Sequence, residues 1–156
     1  DSSTSRGLGD VYKRQMQTSA RNQFLGTVSA VKKGAVNAEV ILDIGNGAEL
    51  AAIITNDSAD HLALEVGSEA YALVKAQWII LTVETNFKTS ARNSLTGTVV
   101  RCQEGAVNAE VVIELPGGKT VASIITNESV KTLGLKEGLR ATAMIKASHI
   151  ILAVPA

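Results

Sequence analysis

The chain repeats itself. Thr18-Ser19-Ala20-Arg21-Asn22 returns unchanged as Thr89-Ser90-Ala91-Arg92-Asn93, 71 residues later. The offset never slips. Gly26-Thr27-Val28 falls on Gly97-Thr98-Val99, and Gly34-Ala35-Val36-Asn37-Ala38-Glu39-Val40 on Gly105-Ala106-Val107-Asn108-Ala109-Glu110-Val111. Ile53-Ile54-Thr55-Asn56 matches Ile124-Ile125-Thr126-Asn127, and Lys75-Ala76 matches Lys146-Ala147. About half of the paired positions are identical, without a gap. A tandem duplication of one small unit constrains the fold more than any composition can. Each unit is about 66 residues, too small to bury much apolar surface alone. The two must pack on each other or on further copies.

Strand-type patterning dominates each unit. Gln23 to Val31 reads as a strand, and Lys32-Lys33-Gly34 as a turn. From Asn37 to Ile44 the residues alternate: Ala38, Val40 and Leu42 on one face, Glu39, Ile41 and Asp43 on the other. Gly45-Asn46-Gly47 and its counterpart Pro116-Gly117-Gly118 are hairpin signals. Glu49 to Ile54 is a third strand. Thr55-Asn56-Asp57-Ser58 reads as a helix start, with Thr55 as N-cap and Asp57 in the first turn. That helix ends before Gly67 and turns Leu62 and Leu64 to the core. Glu69 to Val74 and Trp78 to Val83 complete five strands. Five short strands with one helix after the third predict a small Greek-key barrel of the oligonucleotide-binding type, an all-β class repeated twice. We expect a first unit over 16–85 and a second over 86–156. Residues 1–15 fall outside the repeat and read as a leader foreign to the fold, with Met16 as the natural start.

Charge narrows the partners. Fifteen basic and fifteen acidic residues cancel, which argues against a polyanion such as nucleic acid. Residues 16–88 carry 5 basic and 8 acidic groups, and residues 89–156 carry 7 and 5. Those opposite balances favour one half docking on the other. Aromatics are 3% of the chain, so platforms for stacking bases are few. Cys102 is the sole cysteine, which rules out a disulfide within the chain and fits a reducing compartment. No apolar run is long enough for a membrane span, and no signal peptide is visible.

Duplication also filters candidate ligands, because a site built twice keeps its polar groups in both copies. Lys32 and Lys33 become Gln103 and Glu104, whereas Arg21/Arg92 and Lys75/Lys146 stay basic. Ser19/Ser90, Asn22/Asn93, Asn37/Asn108 and Thr55/Thr126 are also kept. These are mostly donors, and the helix start adds backbone N–H groups. A donor-rich, acceptor-poor set suits a fully ionised compact oxyanion. Each residue also has a plain structural reading. The Thr18–Asn22 stretch can be only a turn, Thr55 only a cap, and Lys75 a solvated hairpin lysine. Glu39/Glu110 and Asp43/Glu114 read as a solvated strand face. Neither His61 nor His149 is duplicated, and no nucleophile–base pair or metal set stands out. We expect no enzyme and no catalytic cofactor.

Ser-Ala-Arg-Asn at the head of each unit, Gly-Ala-Val-Asn-Ala-Glu-Val, Ile-Ile-Thr-Asn-x-Ser and Lys-Ala-x-x-Ile-Ile-Leu together resemble the Mop domain. This is the molybdenum-binding branch of the transport-associated oligosaccharide-binding (TOBE) domains. The resemblance runs from about Thr18 to Val154 and covers both units, as in a di-Mop molbindin. It implies cytoplasmic binding of molybdate or tungstate for storage and homeostasis, with sites between domains. Carried onto this chain, one site type uses Ser19, Arg21, Asn22, Thr55, Lys75 and Ala76. Its second copy uses Ser90, Arg92, Asn93, Thr126, Lys146, Ala147 and Ser148. The lysine side is expected from a neighbouring domain. A second site type, on three-fold axes, is assigned to the loops Gly34, Ala35, Val36, Asn37 and Gly105, Ala106, Val107, Asn108. Six-domain assemblies imply a homotrimer of two-domain chains. After Lys-Ala the units depart from each other, Gln77-Trp78 against Ser148-His149. The alternatives are a sensing module of a molybdate transporter or transcription regulator, for which we expect no room in 156 residues, and an oxyanion-using enzyme.

Overall fold

The computed structural model describes residues 16–156; the expected leader lies outside them. The first unit runs β1 (Asn22–Lys33), β2 (Asn37–Gly45), β3 (Ala48–Thr55), α1 (Asn56–His61), β4 (Glu69–Val74), a 3-10 turn (Ala76–Trp78) and β5 (Ile80–Thr82). The second runs β6 (Asn93–Glu104), β7 (Asn108–Glu114), β8 (Thr120–Thr126), α2 (Asn127–Leu133), β9 (Arg140–Ile145), a 3-10 turn (Ala147–His149) and β10 (Ile151–Ala153). The all-β reading with one short helix per unit holds. Residues 32–33 extend β1 rather than turn, and the expected strand start at Trp78 is the end of the 3-10 turn. The turn over 45–47 has positive φ at Gly45, Asn46 and Gly47, which glycine and asparagine tolerate best.

The sheets are five-stranded, and their order carries the main finding. One is β10-β4-β1-β2-β3 and the other β5-β9-β6-β7-β8. The last strand of each unit has crossed into the other unit's sheet. Leu152 pairs with Ala72, and Leu81 with Ala143, both antiparallel. Leu81 and Leu152 are buried there and join a core continuous through both halves. Burying one leucine is worth about 1.5–3 kcal/mol, so each three-residue strand is anchored by a side chain as well as by its ladder.

The retained glycines Gly26 and Gly97 show why β1 and β6 can bend over their neighbours. A Cβ at Gly26 would lie 2.6 Å from the Asp43 carbonyl oxygen, and one at Gly97 2.2 Å from that of Glu114. Only a residue without a side chain permits that approach. Just beyond, the register of β1 on β2 shifts between Val28 and Ala30, and that of β6 on β7 between Val99 and Arg101. Such a bulge bends a strand and increases its twist.

Candidate functional site

Strand pairing places the basic residues kept in both repeats together. Asn22 pairs with Val74 at the end of the β1/β4 ladder, and Asn93 with Ile145 at the end of β6/β9. Arg21 and Lys75 therefore flank the same end of two paired interior strands, and Arg92 and Lys146 do so in the other sheet. Within one repeat the lysine and the arginine thus lie side by side, and Arg92 and Lys146 line one cavity. The other repeat supplies the facing wall.

On the second-unit side this end opens a cavity of about 510 Å³. Ser90, Arg92, Lys146, Ala147 and Ser148 line it, and Ile53, Trp78 and Ile80 reach in from the first unit. Its ionisable side chains are an arginine, a lysine and His149. The 3-10 turn over Ala147–His149 begins here with no side chain capping its amides. At the pseudo-two-fold, the equivalent residues Trp78 and His149 meet with ring centroids 4.6 Å apart. Lys75 lies over the Trp78 ring at 5.4 Å, a distance at which a cation is attracted to the indole face. A larger depression of about 1060 Å³ lies under the linker, lined by Thr82–Thr85 and Phe87–Thr89 among others. The linker occurs once in the chain, so that depression has no counterpart in the repeat.

Thr126 does not join Arg92 and Lys146. It caps α2, accepting from the Ser129 N–H at 3.1 Å, as Thr55 caps α1 from Ser58 at 3.0 Å. The end of β3 packs on the second unit's 3-10 turn, and Thr55 shares a cleft with Ser148 and Ile151. Strand exchange has regrouped the set: the threonine beside the second-unit cavity is the first unit's.

The asparagine side chains are bonded across the two units. Asn93 Oδ1 accepts from the Ala51 N–H at 2.7 Å, and its Nδ2 donates to the Ala51 carbonyl at 2.9 Å and to Ile145 at 3.2 Å. Asn22 repeats this with Ala122 at 2.7 and 2.8 Å, and with Val74 at 3.3 Å. Both side chains are buried, and each mimics a strand, closing a two-way bond to the other unit's third strand. Their retention marks the seam between units. Two ion pairs cross the same seam, Arg21 to Glu110 and Arg92 to Glu39. Sequence reasoning read those glutamates as a solvated face, although the acidic character kept in both copies was the available signal.

The loops of the second expected site type are tied down identically. Gly34 N–H donates to Asn37 O at 2.7 Å, Asn56 N–H to Val36 O at 2.8 Å and Asn56 Nδ2 to Gly34 O at 3.0 Å. Gly105, Val107 and Asn127 repeat the pattern. Val36 and Val107 project from the tips, each 70% exposed. Lys32, Lys33, Gly34, Asn37 and Glu39 edge a shallow depression there.

Two like five-stranded sheets that exchange their last strands, with basic residues at one end of each, define a tandem small-domain β protein. The chain belongs to the TOBE domain family, whose model matches residues 18–81 and 89–152. It is 44% identical over 144 residues to the molybdenum transport protein ModE of Azotobacter vinelandii, covering 92% of this chain and 53% of that one. It is 41% identical over 155 residues to the molybdenum-pterin-binding protein MopA of Rhodobacter capsulatus, covering 99% and 58%. The chain thus spans about half the length of these curated relatives. The solved structure of the cytoplasmic molybdate-binding protein ModG with molybdate bound superposes with a TM-score of 0.87 at 53% identity, over 90% of this chain and 100% of that one. The names of these relatives are those of binding, transport and regulatory proteins. Among the described residues, no helix is long and apolar enough to cross a membrane, and no three His, Cys, Asp or Glu residues cluster as a metal set.

Proposed function

We propose that this chain binds molybdate or tungstate as the intact oxyanion, for storage and homeostasis in the cytoplasm, and catalyses nothing. The observation that carries the reading is the cavity at Arg92 and Lys146. Its polar side chains include Ser90, Arg92, Lys146 and Ser148, which can all donate, beside Thr89 and His149. A guanidinium, an ammonium and hydroxyls around a partly closed space suit a tetrahedral dianion. Likeness to ModG over that protein's full length supports the reading. Ser19, Arg21, Lys75 and Ala76 form the first unit's version at the equivalent end of its strands. The loops Gly34–Asn37 and Gly105–Asn108 are the second site type, completed where three chains meet in a homotrimer.

Similarity to ModE keeps a second reading in view, an oxyanion-sensing part of a regulator, with the same ligand chemistry. The ModE of Escherichia coli is a DNA-binding regulator, of which the match spans 55%. Likeness to the molybdate-binding protein ModG over that protein's full length weighs toward the first reading's binding role. Calorimetric titration with molybdate, tungstate, sulfate and phosphate tests the ligand. Molybdate and tungstate bind and sulfate binds far more weakly; equal affinity for sulfate would overturn the reading, because the charges are the same. Light scattering on a size-exclusion column, with and without molybdate, gives the assembly; a monomer that binds at full affinity would remove the trimer.

A further inference from the structure

Two carboxylates stand where a site for an anion would not be expected to have them. Glu39 on β2 and Glu110 on β7 occupy equivalent positions, and strand alternation alone reads them as facing water. Their side chains are instead 27% and 15% exposed. Each receives the arginine of the opposite unit's candidate site: Glu39 holds Arg92, and Glu110 holds Arg21. Arg101 adds a looser contact to Glu110 at 3.7 Å. The arrangement occurs in both directions across the seam, so it belongs to the design of the unit.

The carboxylate does two things to such a site. It occupies N–H donors of the guanidinium, and it offsets one of the two positive charges that would balance a dianion. Arg92 and Lys146 counted with Glu39 leave a single net positive charge. Arginine presents five donors in one plane, and the side chains of Arg92 and Arg21 are about half exposed. The guanidinium can therefore trade one oxygen partner for another by turning, with little else displaced.

We propose that Glu39 and Glu110 set the affinity of the oxyanion sites by competing for their arginines. Each glutamate holds the site arginine across the seam while the site is empty, and a tetrahedral dianion takes that arginine over. This rests on the oxyanion reading above. It adds that ligand uptake releases one ion pair between the units per site filled. It also makes the threshold for filling higher than the donor set alone would give. A glutamate that merely positioned the arginine would have the opposite effect on removal.

The test is titration of the full chain with sodium molybdate at fixed ionic strength, for the wild type, Glu39→Gln, Glu110→Gln and the double variant. Glutamine keeps the shape and can still accept from the arginine, and each single variant leaves the other tie intact, so folding is preserved; thermal unfolding of each variant verifies this. Exposed ion pairs are worth little, so the expected tightening is about two- to fivefold at each altered site. The control is Asp43→Asn with Glu114→Gln, the same change of charge on the same two strands, and it leaves affinity nearly unchanged. Weaker or unchanged binding in the Glu39 and Glu110 variants overturns the proposal. So does equal tightening in the control, which would make the effect one of net charge. A wild type that takes up neither molybdate nor tungstate defeats the oxyanion reading and this inference together; a wild type that binds while its variants fail to tighten defeats this inference alone.

Discussion

Asn93 and Arg92 are neighbours in the chain, both are retained in the two copies, and they do opposite things. Asn93 is buried and fully bonded, locking the second unit's first strand to Ala51 of the first unit. Arg92 lies at the rim of an open cavity with its side chain half exposed. The seam and the cavity thus begin at adjacent residues. Retention between repeats reports that a residue matters to the two-fold arrangement; it does not distinguish holding the halves together from holding a ligand. Burial and bond count separate the two.

The comparison breaks first at the seam. Asn93→Ala leaves the Ala51 N–H and C=O without their partner, and a buried unsatisfied group costs about 1–3 kcal/mol. We expect a loss of about 2–6 kcal/mol in urea unfolding, counting both groups. The same change at Asn22 is expected to match it, because its bonds are the same; a difference of several-fold would show that the two faces of the seam are unequal. Next comes the cavity. Arg92→Ala or Lys146→Ala is expected to weaken molybdate binding by about 1.5–3 kcal/mol, the range for hydrogen bonds to charged groups, while the unfolding midpoint barely moves. Arg92→Lys is expected to be costly as well, since a planar fork is not a point charge. Loss of stability without loss of binding at Arg92 would leave its ion pair with Glu39 across the seam as its only role. Thr126→Ala is a smaller test. Removing a cap costs about 1 kcal/mol, and binding at the Arg92 cavity is expected to survive because Thr126 lies elsewhere. Lys32→Ala, at a position not basic in the second copy, is expected to change either quantity by less than about 0.5 kcal/mol.

The thiol offers a check outside both regions. Burial, and then the nearby Glu104 and Glu137, raise the pKa of Cys102. Fewer thiolates at neutral pH make alkylation slow. Iodoacetamide labelling is expected to accelerate with pH through the alkaline range and to be unaffected by molybdate.

Much of the fold could be read from the residues. Period-two alternation gave β2, with Ala38, Val40 and Leu42 all buried, and the Thr-Asn-x-Ser cap gave the start of each helix. Strand exchange could not be read. Ile80–Thr82 and Ile151–Ala153 look the same whether they pair with their own unit or the other, because three residues carry no register information. A linker too short to be flexible said that the units touch, but not that they trade strands. The candidate cavity was legible in part. Joint retention found Arg92, Lys146 and Ser90, which the structure brings into one cavity. It also gathered Asn93 and Thr126, whose side chains are committed to backbone amides. Local sequence does not say which donor already has an acceptor, and that decides between a strut and a ligand. Glu39 and Glu110 were passed over for the complementary reason: alternation assigns them to the outer face, and only the position of the second unit covers them.

The crossing of β5 and β10 has a topological consequence. A chain cut between the repeats would not come apart into two working halves, since each half would still have a strand lodged in the other's sheet. A single repeat expressed alone is left with one vacant edge and one strand without a berth, and the remedy available to it is a second copy of itself with the same two defects. The repeat is in that sense a homodimer written as one polypeptide. Fusion of the copies makes the exchange intramolecular, so its completeness no longer depends on concentration.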